Sequence, residues 1–389
     1  MPSTPTSVTS QPLSRQALHE LVTWDGHPVV TSLFLDVDGR RFPRRSDLEP
    51  QIGELVRLAK EQAASLGPTV SAAVEADLAH VHAWLAEPLG RKDVRGVALF
   101  SIDRDRLWRA LTLPTPVRPQ VSIGPAPALA QLCEALRVGA PALAVLADGR
   151  GTRFLRMEQG RVDEHAGPVD EPGRRVDTDL ELGSFDRLHE ERVRRHLRRT
   201  AQAVETELRR WPAQRLVLGG PGEVVSVLEE LLAPDAATLV VGRVTLPMAS
   251  RAGDVADAAR QVIEAFEEER RASLVDELRQ RCERGAAGVA GVAGTLGAIG
   301  GRRVATLVVA PGFVAPGRRC PGCRRLVASP DEVACPDCGT STEPLLDVIE
   351  AAVCAALRQE ADVEICGGPT LDALGHIGAI ERFPSVGTA

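Results

Sequence analysis

The 389-residue chain has no tyrosine, and its aromatic residues amount to 3%. Its cores must therefore close on aliphatic side chains. Lysine occurs only at Lys60 and Lys92, so arginine supplies nearly all the positive charge. A planar guanidinium clamps phosphate in bidentate fashion better than an ammonium does. No run approaches about 18 uninterrupted apolar residues, and the opening MPSTPTSVTSQPLSRQ has no apolar stretch. Neither a membrane span nor a secretory signal is expected, which puts the protein in the cytoplasm with no membrane partner. The formal net charge of −7 excludes a protein that coats nucleic acid with its whole surface, and any such contact must be regional. Catalytic signatures are scarce as well. The turn Gly219-Gly220-Pro221-Gly222 lacks the Lys-Ser/Thr of a P-loop, and the glycines between 285 and 301 do not follow a strand as a dinucleotide fingerprint requires. There is no nucleophile elbow, no paired-carboxylate motif and no Ser/His/Asp arrangement, so no catalytic residue is assigned.

What is present reads as a folded multidomain α/β chain, with 44% hydrophobic and 25% charged residues, near the globular average. Residues 1–14, rich in Pro, Ser and Thr, are expected to form a disordered tail. A first α/β domain is expected over 15–138. It has a strand at 29–38 (VVTSLFLDVD), amphipathic helices over 48–65 and 69–86, a buried strand at 95–103 and a further strand at 108–113. The Pro-rich run at 111–127 punctuates this pattern before a helix at 129–136. A central domain is expected over 139–272. It opens with short strands at 141–149, 151–158 and 161–165, followed by a long irregular loop over 166–184 and a long helix over 186–210. Such a loop is more often functional than a plain connection. Strand 214–220, helix 221–232 and strand 237–247 then give βαβ grammar with parallel pairing. The helix at 256–282 leads into a third domain, 273–389. Strand 303–310, helix 345–359 and strands 361–366 and 376–383 predict an α/β/α sandwich there.

Cysteines carry the sharpest signal. Cys320-Pro-Gly-Cys323 and Cys335-Pro-Asp-Cys338 are two CxxC knuckles separated by eleven residues. Knuckles of this kind turn two pairs of thiolates onto one tetrahedral Zn²⁺. A structural zinc hairpin over 318–342 is therefore expected, inserted in the third domain. Paired disulfides are disfavoured in a reducing compartment, and a redox CxxC would occur once, opening a helix. Four thiolates close the coordination sphere, so no metal catalysis is implied.

The second signal is a basic stripe. Residues 187–199 hold six arginines, Arg187, Arg192, Arg194, Arg195, Arg198 and Arg199, against two glutamates. Val193, Leu197, Val204 and Leu208 recur at helical spacing and can face a sheet, leaving Arg194, Arg195, Arg198 and Arg199 for phosphates. A solvated helix face accounts for the charge equally well. A zinc-protease reading of His189-Glu190 fails, because His196 lies seven residues on, roughly 10 Å along the axis.

The order of these pieces resembles the bacterial relatives of the archaeal and eukaryotic peptide chain release factors, Pelota-like rescue proteins included. The resemblance is carried by RVRRHLRRTAQAVE, RLVLGGPGEVVSVLEELL, VGRVTLPM, RVATLVVA, CPGC…CPDCG and the closing GHIGAIERF. It implies a three-domain chain of mixed sheets and helices with a zinc ribbon inserted in the C-terminal α/β/α domain. It also implies a central domain that reaches the peptidyl transferase centre, ribosomal RNA or tRNA as partners, and a translational GTPase as a further partner. Two departures bear on activity. Family members that hydrolyse peptidyl-tRNA use Gly-Gly-Gln in the loop before the long helix, and the loop at 166–184 contains no glutamine. The Asn-Ile-Lys-Ser stretch used for stop-codon reading is also missing from the first region. Three readings stay open: a ribosome-associated hibernation, rescue or stress factor without hydrolysis, a peptidyl-tRNA hydrolase that uses another loop residue, and a zinc-ribbon protein-binding scaffold.

Overall fold

The computed structural model describes residues 10–24, 29–86, 94–102, 107–169 and 182–383. Two compact units result, Met1–Arg137 with Arg271–Ala389 as one, and Val138–Arg270 as the other.

In the first unit the chain begins with β1 (Gln11–Pro12), α1 (Arg15–Thr23), β2 (Val30–Asp36), α2 (Glu49–Leu66), α3 (Pro68–Ala86), β3 (Gly96–Ile102), β4 (Leu107–Leu113), β5 (Gln120–Gly124) and α4 (Ala130–Val138). The strands form one sheet in the order β1-β4-β3-β2-β5. All seven residues of β2 are buried, because the two faces of the strand serve different cores at the two-residue period of a strand. Leu33 and Leu35 join Leu55, Ala59 and Leu78 of α2 and α3. Phe34 faces the other way and meets Phe100 edge-on, with ring centroids 6.0 Å apart. Two local differences from the sequence reading stand out. Residues 10–14 are not tail: β1 pairs with β4, Leu13 is buried, and the Ser14 hydroxyl accepts the Ala17 N–H at 3.1 Å, capping α1. The burial of one leucine and one helix cap outweighs the composition of the segment. The Pro-rich run also holds a strand, since Gln120–Gly124 lies between its prolines and pairs with β2.

The second unit contains β6 (Ala142–Ala147), β7 (Gly151–Glu158), β8 (Arg161–Val169), α5 (Leu182–Arg210), β9 (Arg215–Gly219), α6 (Gly222–Leu231), α7 (Pro234–Ala237), β10 (Val240–Val244) and the start of α8 (Ala252–Glu283). Its sheet runs β10-β9-β6-β7-β8, parallel among the first three strands and antiparallel beyond. This is the βαβ pattern read from sequence, with a hairpin added at one edge. Leu143, Val145, Leu216 and Leu218 face α5 and α6. Ala144, Leu146 and Val217 face Val255, Ala259 and Ile263 of α8. Strand β8 runs four residues past the expected 165, and α5 starts at Leu182 instead of 186. Of the expected loop, 170–181 lies outside the described residues.

After α8 the chain returns to the first unit with β11 (Gly288–Ala290), α9 (Gly291–Gly300), β12 (Val304–Val309), β13 (Gly317–Arg319), β14 (Leu326–Val327), β15 (Glu343–Leu345), α10 (Val348–Arg358), β16 (Asp362–Ile365), α11 (Pro369–Ala373) and β17 (Ile377–Glu381). The sheet order is β11-β17-β12-β16, with β12 and β16 parallel. Leu307 and Val309 pack under α9 and α10. Val308 packs under Leu278 of α8 and Leu371 of α11. This is the α/β/α layering expected of the mixed α/β class. The same buried cluster beneath α10 takes in Leu13, Leu21, Leu129 and Leu132 from the start of the chain. Within it, buried Glu350 accepts the N–H groups of Leu129 (2.7 Å) and Ala130 (3.1 Å) at the start of α4, where the helix dipole favours a carboxylate. Strands β13, β14 and β15 form a separate three-stranded sheet that carries the cysteine knuckles. Among the described residues, no helix is long and apolar enough to cross a membrane.

Candidate RNA-binding face and metal centre

Helix α5 is amphipathic for a simple reason. Leu197, Ala201 and Val204 fall on one stripe and are buried against the β6/β9 sheet. His196 and Thr200 share that stripe, and their polar atoms meet a third buried group, Thr152 of β7. The Thr152 hydroxyl lies 2.8 Å from the Thr200 hydroxyl and 3.4 Å from His196 Nε2. Near its end the helix is pinned by buried Glu207, which pairs with Arg156 and with His165 at 3.3 Å. Burial pushes the Glu207 carboxyl up, but the hydrogen bond from Arg156 and the nearby His165 more than offset this and leave it below the ordinary carboxylate range.

The opposite face belongs to arginine. Arg192, Arg194, Arg195, Arg198 and Arg199 are all exposed. At 3.6 residues per turn they spread over an arc of roughly 160° and an axial rise of roughly 10 Å. Glu190 and Glu191 stand one helical turn before Arg194 and Arg195, a spacing that often gives an ion pair. No such pair forms. Among the described residues, none makes an ion pair with Arg192, Arg194, Arg195 or Arg198, whereas arginines elsewhere commonly meet a carboxylate, as in Arg57–Glu54 (2.6 Å), Arg243–Glu229 (2.7 Å) and Arg281–Glu277 (2.7 Å). Backbone of Arg187 belongs to α5; its side chain lies outside what is described.

The Gly219-Gly220 turn is a backbone necessity. Gly220 has φ +136°, and a Cβ there would lie 2.0 Å from the Ala147 carbonyl oxygen. Only glycine passes so close to the neighbouring strand.

The four knuckle cysteines converge. Sγ of Cys320 lies 3.5 Å from that of Cys338, Sγ of Cys323 lies 3.5 Å from Cys335 and 3.7 Å from Cys338, and all four fall within 4.8 Å of one another. A tetrahedral ion with sulfur at about 2.3 Å needs sulfurs about 3.8 Å apart, so the set fits a metal of that kind. The knuckles are shaped by backbone. Cys323 N–H donates to Cys320 Sγ at 3.4 Å, Arg324 takes φ +64° and Gly339 φ +72°. Cys320 and Cys335 are buried, Cys323 and Cys338 exposed. The Thr340 hydroxyl and backbone N–H, with Cys320, hold the Cys338 thiol below the ordinary thiol range. The other four cysteines pack as small apolar groups, Cys354 and Cys366 fully buried, Cys133 and Cys282 partly.

With this geometry in place, the comparison with known proteins falls on the segment that holds α5 and not on the cysteine knuckles. Residues 127–282 match the model of the bacterial archaeo-eukaryotic release factor family 10. The match covers less than half of the chain and, over that segment, bears out the resemblance read from sequence. The matched segment is similar to the bacterial relatives of the archaeal and eukaryotic release factors, and it contains the whole of α5. No curated protein matches the chain. Among solved structures, the archaeal translation termination factor aRF1 is 15% identical, with 95% of this chain and 96% of that chain covered and a TM-score of 0.26. Dom34 of S. cerevisiae, a translation termination-like factor interacting with Hbs1, is 9% identical over 75% of this chain and 81% of its own, TM-score 0.41. Ribosome-bound archaeal Pelota is 14% identical over 96% and 95%, TM-score 0.39.

Sequence reasoning missed two features. The Glu350 link to α4 joins residues 220 positions apart, beyond the reach of any local pattern. Five arginines, Arg302, Arg319, Arg324, Arg325 and Arg358, also line one cavity, and only the doublet Arg324-Arg325 hints at it in the sequence.

Proposed function

We propose that this protein is a ribosome-associated translation factor of the release-factor kind, which binds rRNA or tRNA phosphates through α5 and acts as a hibernation, rescue or stress factor without hydrolysing peptidyl-tRNA. One observation carries the reading: the arginine face of α5 is exposed, and Arg192, Arg194, Arg195 and Arg198 have no carboxylate partner among the described residues, inside the segment that matches the release-factor family. Phosphate contacts of this sort position a protein on RNA without reading bases. The missing glutamine in residues 166–184 supports the absence of ester hydrolysis. Zn²⁺ is the ion that four converging thiolates favour. It would hold the hairpin at 318–342 together and leave no open coordination position for chemistry. A translational GTPase as escort follows from the family resemblance.

Ribosome pelleting at low salt tests the reading. The wild-type chain should co-sediment, and the Arg194→Glu, Arg195→Glu, Arg198→Glu, Arg199→Glu variant should remain in the supernatant with an unchanged circular dichroism spectrum. Equal pelleting of the two overturns the assignment. Release of labelled peptide from ribosomes loaded with peptidyl-tRNA separates the factor from a hydrolase; turnover above background would favour the hydrolase.

A further inference from the structure

We infer that the cavity beside the cysteine knuckles is a binding site for a nucleoside phosphate, independent of the α5 face. The cavity holds about 390 Å³ and lies wholly within the first unit. This is the size range of small-ligand sites, which typically combine an apolar lining with a few convergent polar groups. The lining divides in that way. Leu296, Ile299, Leu326 and Ala355 supply the apolar floor. Arg302, Arg319, Arg324, Arg325 and Arg358 surround it, with Asp337 as the one acid among the lining residues.

The arginines come from separate elements, and their convergence is built by the fold. Arg302 follows α9 with φ +54°, a conformation uncommon for a side chain larger than glycine. Arg319 ends β13, while Arg324 and Arg325 follow the first knuckle. Arg358 closes α10 and donates to the carbonyls of Val22 (2.8 Å) and Trp24 (2.7 Å), which fixes its guanidinium at the rim. Asp337 is already engaged with Arg325 at 3.1 Å. Among the lining residues, five arginines thus stand against one carboxylate and the Cys323 sulfur around an apolar floor. A ligand that satisfies both parts pairs anionic oxygens with a flat, weakly polar body, which is the chemistry of a phosphate joined to a base. Guanidinium planes stack on bases as well as binding phosphate, so the lack of an aromatic lining residue is no obstacle. A free nucleotide and the phosphorylated 5′ end of an RNA strand share this chemistry.

Calorimetry on the full-length, metal-loaded chain tests the site with three probes: ADP, a 5′-phosphorylated uridine tetranucleotide and pyrophosphate. Either ADP or the tetranucleotide should bind, and the tighter one identifies the source as free nucleotide or strand end. Arg302→Glu should weaken binding about tenfold, the loss of one charge-assisted contact. Arg302 is exposed, so that variant keeps the fold. Ala355→Met should fill the floor, weakening the nucleoside phosphates while leaving pyrophosphate unaffected. Absence of heat with both ADP and the tetranucleotide overturns the proposal. So does pyrophosphate binding as tightly as either, or unchanged affinity in both variants.

Discussion

If the arginine face of α5 grips RNA, salt should loosen it by a calculable amount. Four exposed arginines, Arg192, Arg194, Arg195 and Arg198, have no carboxylate partner among the described residues, so each can neutralise one phosphate. Counterion release then gives a slope of log affinity against log salt of about −0.7 to −0.9 per contact, or roughly −3 for four. Between about 50 and 200 mM salt, affinity for ribosomes should fall roughly 50- to 150-fold from these contacts alone. Replacing all four by glutamine keeps helix propensity, since Gln and Arg rank alike in helices, and leaves the buried stripe of Leu197, Ala201 and Val204 untouched. The variant should melt as the wild type does and lose about three units of slope. Sedimentation or filter binding over a salt series measures both quantities. A slope that changes by less than one unit would refute the assignment, because the arginines would then be surface charge and nothing more.

Three further outcomes follow from packing and ionisation. The cysteine cluster should bring one zinc per chain by mass spectrometry, and Cys335→Ser should release it and melt the hairpin, since structural sites of this kind contribute roughly 10–16 kcal/mol of apparent metal binding; full zinc content in that variant would rule the site out. Buried Glu267 pairs with Arg215 at 2.6 Å and Arg270 at 3.0 Å. Burial pushes its carboxyl up, yet the two guanidiniums hold it below the ordinary range. Its contribution is thus complete above the unfolded carboxylate pKa of about 4.3 and is lost as pH falls through the depressed folded value. Glu267→Gln should cost about 3–5 kcal/mol in urea titrations at neutral pH and flatten the acid limb, and an unaltered acid limb would count against the pairing. Gly220→Ala places a Cβ 2.0 Å from the Ala147 oxygen at φ +136°, and the strain should cost about 2–4 kcal/mol by chemical denaturation, with wild-type stability contradicting the turn geometry.

Much of this fold was legible because local pattern and tertiary role agree. Strand β2 carries Leu33, Phe34 and Leu35 at its centre and is buried on both faces, and of the α5 stripe read at 193, 197, 204 and 208, Leu197 and Val204 are buried and Val193 and Leu208 partly so. Where the two disagree, sequence misleads. The glycine-rich stretch at 285–301, given no element in the reading from sequence, supplies β11 and α9, because Leu296 and Ile299 are buried with the apolar residues of α10. Propensity argues against a helix with so many glycines, and burial overrides it. Gln120–Gly124 is similar: prolines flank it without entering the ladder, so pairing with β2 survives.

The two sites differ in the same way. Cysteine spacing fixes the knuckle chemistry almost alone, since CxxC confines two sulfurs to one turn, and the fold has only to bring two such turns together. For the arginines, spacing is ambiguous. Glu190 and Glu191 sit where α-helices often form ion pairs with Arg194 and Arg195, and a reader of the sequence would discount both charges. In the structure those acids make no such pair, whereas the carboxylates of Glu205 and Glu207 do engage Arg209 and Arg156. An exposed pair is worth only about 0–1 kcal/mol, so leaving the first two arginines unmatched costs the fold almost nothing. A phosphate, whose fixed charge makes stronger charge-assisted bonds to guanidinium, can therefore claim them without first breaking an internal contact.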